Sequence, residues 1–223
     1  MTNLKEREQE TVRSVALLNH LASRFGADSH YQFAAIYDES MPDAASSQAS
    51  GKWRPYFIGE RPLPFKLLAL LETAFPGATE FYRQGPKGLW QAMWGPAYCL
   101  RLPISNELSE FGSFDQALAE FEGELLLAEQ YRAPLSLEHL SKAVALYRLH
   151  YDLLGLDGEG ACRCIRLCLD SDEVCFALRE LGVRQSVEAE LDAWIMTRPD
   201  CEVAWANAAH RWEQIAPRLQ WVD

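Results

Sequence analysis

Apolar residues recur along much of this chain at alternating steps of three and four, the spacing of one helix face. From Leu4 to Phe25, the residues Thr11, Val15, Leu18, Ala22 and Phe25 follow that rhythm, and Gly26 stands where a C-terminal cap belongs. Gln32 to Tyr37 is a short apolar run compatible with either helix or strand. Ser40 to Gly51 is rich in Ser, Ala, Pro and Asp and predicts a loop. Pro64 to Phe75 predicts a helix with Leu67, Leu68, Leu71 and Phe75 on one side and Pro64 in its first turn, stopped by Pro76-Gly77. An aromatic stretch follows, with Phe81, Tyr82, Trp90, Trp94 and Tyr98, interrupted at Gly85-Pro86-Lys87-Gly88 and at Gly95-Pro96.

The second part is patterned more plainly. Ser113 and Gln116 have capping-box spacing, and Phe114, Leu118, Phe121, Leu125 and Ala128 make one stripe. Pro134 breaks the chain and Ser136 caps a second helix, whose stripe is Leu140, Val144, Tyr147, Tyr151 and Leu154, ending at Gly155. Three shorter helices are predicted near Asp172–Leu181, Val187–Met196 and Glu202–Ile215, with Ser171, Ser186 and Asp200 as caps. The expected fold is therefore all-α. A boundary within Leu102 to Gly112 divides an aromatic-rich part, 1–103, from a helical part, 104–223.

Composition and charge refine this picture. An apolar fraction of 48% with seven tryptophans is ample for a packed core. The first residues carry no signal-peptide pattern, and no run of apolar residues is long enough to span a bilayer. The expectation is a cytoplasmic protein whose six cysteines are thiols. Residues 1–90 carry equal numbers of basic and acidic side chains, so the net charge of −11 lies entirely in residues 91–223. Phosphates would be repelled from that second part, whereas a cationic protein would be attracted to it.

One stretch suggests a known module. From Ser46 through Pro64 into Phe65-Lys66-Leu67-Leu68-Ala69-Leu70-Leu71, the aromatic Tyr56 is followed three residues on by Gly59, and five further by Pro64 opening a Leu-rich helix. This resembles the third and fourth helices of lambda-repressor-like helix-turn-helix domains. The resemblance implies a recognition helix with Trp53 facing inward and Ser50, Gly51, Lys52, Arg54 and Pro55 facing DNA. With Arg61 and Lys66, the candidate DNA-binding set is Ser50, Lys52, Arg54, Arg61 and Lys66. Two departures stand beside the match: Ser40–Ser47 is a poor candidate for the family's second helix, and Pro55 falls within the segment corresponding to the recognition helix. A second stretch, Pro199 to Trp212, resembles the first helix of a tetratricopeptide repeat, but no second copy occurs at the required period.

Candidate chemistry is sparse. Cys162, Cys164, Cys168 and Cys175 lie close together, but structural zinc sites use a second ligand pair, which is missing, and no His is nearby. Their apolar neighbours suit thiols acting as small hydrophobes, so neither a metal nor a cofactor is expected. His20, His30, His139, His150 and His210 form no paired motif, and no nucleophile elbow or phosphate loop is present. No catalytic residue is assigned. Glu120, Glu122, Glu124 and Glu129 crowd the polar side of one helix. They read as a solvated face, and Glu120, Glu124 and Glu129 are the candidate protein-binding residues.

Two functions remain open. One is a non-enzymatic regulatory protein of bacterial style, reaching DNA through residues 50–66 and a protein through its acidic C-terminal part, with dimerisation strengthening the DNA contact. The other is a protein-interaction module such as an adaptor, an immunity or antitoxin-like protein, or a complex subunit, without DNA. An enzyme assembled from distant residues ranks behind both.

Overall fold

The computed structural model describes residues 2–41, 47–48, 50–96, 100, 114–149 and 160–196. Among these residues every regular element is helical, as the periodicity requires. In order they are α1 (Thr2–Arg24), α2 (His30–Ser40), α3 (Arg54–Phe57), α4 (Phe65–Ala74), α5 (Ala78–Gln84), α6 (Leu89–Trp94), α7 (Phe114–Tyr131), α8 (Leu137–Arg148), α9 (Ala161–Asp170), α10 (Asp172–Glu180) and α11 (Arg184–Met196). The helix expected at Glu202–Ile215, the repeat-like stretch 199–212, and the continuation of the Leu140 stripe through Tyr151 and Leu154 lie outside the described residues.

The helices form two compact units. One comprises Met1–Pro86 with Phe176–Ser186, and the other Lys87–Cys175 with Val187–Asp223. The boundary expected within 102–112 lies outside the described residues. The observed division comes earlier, and the chain returns to the first unit for residues 176–186.

In the first unit, α1 packs against α2, α3 and α5. Its C-terminus closes as the sequence predicts: Gly26, at φ +71°, donates to Ser23 O (3.2 Å) and Ala27 to Ala22 O (2.8 Å), the paired bonds of a left-handed helix stop. The ambiguous run Gln32–Tyr37 is helical. Ser29 caps it by accepting from the Gln32 amide, and Gln32 Oε1 accepts from the amide of Asp28, the residue before the cap (2.6 Å). Leu17, Leu18, Phe33, Tyr37, Trp53, Tyr56, Leu71 and Phe75 make the core, with Phe33 edge-on to both Trp53 and Phe57. Pro64 stands at the N-cap of α4, one residue before the helix begins and not inside its first turn as expected. Segment 176–186 is tied to α1 by Asn19, whose amide donates to Leu181 O (3.3 Å).

In the second unit, α8 packs on α6 and α9, and α7 on α9. Ser136 caps α8 as expected, with His139 in the reciprocal position usually held by Glu or Gln. Arg148 donates to Ala92 O and Gly95 O (3.0 and 2.7 Å), satisfying carbonyls at the end of α6. Two short helices, α5 and α6, occupy a stretch that the sequence pattern leaves unassigned. Gly77, Gly85 and Gly88, all at positive φ, delimit them, and six or seven residues are too few to display a period. The start of α11 at Arg184 also differs from expectation: Ser186 lies inside the helix instead of capping it.

Candidate functional site

The segment resembling a recognition helix is held to the first unit by a polar network on a buried indole. Asp38, near the end of α2, accepts from the Ser47 amide (2.8 and 3.0 Å), from Ser47 Oγ (2.6 Å) and from the Gln48 amide (3.1 Å). Ser47 Oγ in turn accepts from Trp53 Nε1 (2.8 Å), and both Ser47 and Trp53 are 1% exposed. Trp53 therefore faces inward, as the resemblance requires, and its one polar atom is satisfied. Pro55 lies in the first turn of α3, where its missing N–H costs nothing. The helix is only Arg54–Phe57, a single turn, before Gly59 at φ +73° redirects the chain.

The basic residues of this segment have divergent surroundings. Lys52 is half-buried, with its ammonium over the rings of Trp53 (5.0 Å) and Tyr37 (5.5 Å), and the Arg61 guanidinium covers Tyr56 at 4.7 Å. Arg54 and Lys66 are exposed. Ser50 is exposed and donates its hydroxyl to Ser47 O (3.0 Å), and Glu60 is exposed between Arg54 and Arg61 in the chain. Lys52 and Arg61 are thus engaged with the fold's own aromatics.

The acidic face belongs to α7. Ala117, Phe121, Leu125 and Ala128 turn inward, the last at 8% exposure. On an adjoining flank, Glu120, Glu124, Leu127 and Tyr131 follow one another at steps of four, three and four and are all exposed. Leu127 is 55% and Tyr131 74% exposed, so the acidic flank runs into an apolar one. Glu124 is engaged with α8, 3.3 Å from His139 Nε2 and 3.5 Å from Lys142 Nζ. Glu129 lies in the last turns of α7, and its side chain is outside the described residues. The sequence reading names the carboxylates but misses Leu127 and Tyr131. The signal was available, because two large apolar side chains fall at helical spacing outside the Phe114–Leu125 stripe.

Beside this flank the inward face of α7 reaches a half-open cleft of about 320 Å³. Leu125, Ala128, Pro134, Leu135 and Leu167 supply apolar lining, and Arg132, Asp170, Ser171 and Glu173 add polar groups. Arg132 occupies the left-handed position that ends α7 (φ +51°), and Ala133 donates to Ala128 O at 2.8 Å in the accompanying stop. Glycine normally takes that position, and no sequence rule places an arginine there.

Cys162, Cys164, Cys168 and Cys175 are buried free thiols. Burial pushes the Cys168 thiol up to about 12, with Glu124 adding to the effect, and pushes Cys164 higher still, so neither is a ready nucleophile or metal ligand at neutral pH. Cys162, Cys164 and Cys168 lie on α9, which ends at Asp170, whereas Cys175 lies on α10, where its Sγ donates to Leu169 O at 2.9 Å. Among the described residues no group of three or more His, Cys, Asp or Glu side chains could hold a metal ion. His20 stacks flat on Phe81 at 4.1 Å, and burial, with Arg24 beside it, lowers its pKa. No helix among the described residues is long and apolar enough to cross a membrane. No protein-family model, curated protein or solved structure matches this chain.

Proposed function

We propose that this chain is a non-enzymatic interaction protein that works without a cofactor and docks a protein partner through the α7 flank Glu120–Leu127–Tyr131. The observation that carries the reading is the exposure of Leu127 and Tyr131 on the same helix side as exposed carboxylates. Large apolar side chains flanked by charges are the composition of a contact patch, aromatic anchors being enriched in such surfaces. The −11 charge of residues 91–223 favours a partner with a basic surface and speeds its encounter. A cytoplasmic setting is in keeping with this reading.

DNA contact through residues 50–66 is the weaker reading. It rests on the exposed Arg54 and Lys66, and a single-turn α3 offers a short surface to a groove. The test is recovery of bound molecules from the cells of origin on tagged wild-type chain, on an Arg54→Ala, Lys66→Ala variant and on a Glu120→Lys, Leu127→Asp, Tyr131→Ser variant, with protein and nucleic acid both quantified. All three side chains are exposed, so each substitution should change stability by less than about 0.5 kcal/mol. A specific protein held by wild type and lost by the α7 variant supports the proposal. Recovery of DNA that depends on Arg54 and Lys66, with no such protein, overturns it.

A further inference from the structure

The cleft at the end of α7 has a polarity of its own. Arg132 lines it from the 125–135 segment and Asp170 with Glu173 from the 167–173 segment, together with Leu125, Leu135 and Leu167. Glu173 accepts a hydrogen bond from Ser171 Oγ (2.9 Å). Arg132 and Asp170 are exposed and have no ion-pair partner among the described residues. An apolar cavity lined by a basic residue from one segment and acidic residues from another complements a ligand carrying the reverse arrangement. Arg132 adds a second indication. A non-glycine residue in the left-handed region is disfavoured, and at a helix stop glycine would relieve it. Such strain is retained where the residue has a task, and Arg132 is one of the residues that line the cleft.

We infer that this cleft is the anchor site for a partner segment in which one apolar side chain is flanked by a basic residue on one side and an acidic residue on the other. The apolar side chain fills the space between Leu125, Leu135 and Leu167. The basic group pairs with Asp170 and the acidic group with Arg132. A cavity of about 320 Å³ accommodates one leucine or phenylalanine and not a folded domain, so the cleft reads a short motif. The inference rests on the reading of the chain as an interaction protein and adds to it the chemistry of the partner's contact.

The experiment is a fluorescence-anisotropy titration of the full chain with labelled peptides. Two probes carry Lys-Leu-Glu and Glu-Leu-Lys within a Gly-Ser frame, so that either chain direction is sampled. Control probes replace the Leu with Ser, or the Lys with Glu. At least one Lys/Leu/Glu probe should bind saturably, and its Leu→Ser control should bind at least about tenfold more weakly, as loss of a buried leucine implies. Asp170→Lys should weaken that probe by about two- to fivefold, the size of an exposed ion pair, and should favour the control in which Lys becomes Glu. Arg132→Gly should weaken it comparably while the protein stays folded, because glycine suits that backbone position. The reversal of preference with Asp170→Lys separates charge recognition from a damaged fold. No saturable binding below about 1 mM by any probe, or binding indifferent to the Leu→Ser change, overturns the inference. So does an unchanged preference in Asp170→Lys. Failure of the peptides while a cellular partner is still captured through Leu127 and Tyr131 would refute the cleft alone. Loss of that captured partner's dependence on the α7 flank would refute the broader reading.

Discussion

Replacing Asp38 with alanine should destabilise the protein by about 3 kcal/mol, through groups that the aspartate leaves stranded. Its carboxylate serves two amides and a hydroxyl in the 47–48 turn, at 2.6 to 3.1 Å. Ser47 is 1% exposed, so its amide and hydroxyl lose their partner where water enters poorly. A buried polar group left unpaired costs about 1–3 kcal/mol, and hydrogen bonds to a charged acceptor lie toward the upper end. Gln48 is exposed and recovers its bond from solvent, so it adds little. The sum is near 3 kcal/mol after partial relaxation. Ser47→Ala should cost about 2 kcal/mol, because it removes the acceptor of Trp53 Nε1. The two changes share one network, so the double variant should fall short of the sum by about 1 kcal/mol or more. Urea denaturation followed by tryptophan fluorescence measures each corner of the cycle. An Asp38→Ala variant within about 0.5 kcal/mol of wild type, or strict additivity with Ser47→Ala, would refute the account of how this segment is held.

Four further outcomes are expected. Gly182→Ala should cost about 1–3 kcal/mol in the same denaturation assay, because the residue sits at φ +69° and an added Cβ would lie 2.8 Å from Asn19 Nδ2 and 3.1 Å from Val15 Cγ1. Glu72 accepts from the Gly77 and Thr79 amides (3.0 and 2.6 Å), which hold its pKa below the usual 4.5. A depressed carboxylate stabilises the fold above its unfolded value and loses that contribution as pH falls through the folded one, so Glu72→Gln should lower Tm at pH 7 and converge with wild type as pH drops well below 4.5. Purified protein should contain well under one zinc per chain by elemental analysis, and a thiol reagent should modify Cys164 and Cys168 slowly until the chain is unfolded.

The helices with strong stripes were legible in the residues alone. Val15–Leu18–Ala22 with Gly26 gave α1 and its stop, and Ser136 gave the start of α8, because capping and periodicity act locally. The helices α5 and α6 were not legible, since six or seven residues between glycines carry no period. The helix-turn-helix resemblance rests on Trp53, Tyr56, Gly59 and Pro64. Trp53 and Tyr56 are buried and Gly59 turns the chain with positive φ, so those residues follow a local packing requirement whether or not DNA is read. Which basic side chains would be occupied was invisible in the sequence, because the rings under Lys52 and Arg61 come together only on folding. The cleft was equally invisible. Arg132 and Asp170 are far apart in the chain, and nothing local marks the end of α7 as a place where the core face outruns its cover.

The central claim is that the α7 flank is the partner surface. The most direct test installs a photo-crosslinking amino acid at Tyr131, and separately at the exposed Ile58 of the first unit, in the cells of origin. Irradiation should yield a discrete protein adduct from position 131 and none of comparable yield from position 58. A protein or DNA adduct from position 58 with none from position 131 would contradict the account.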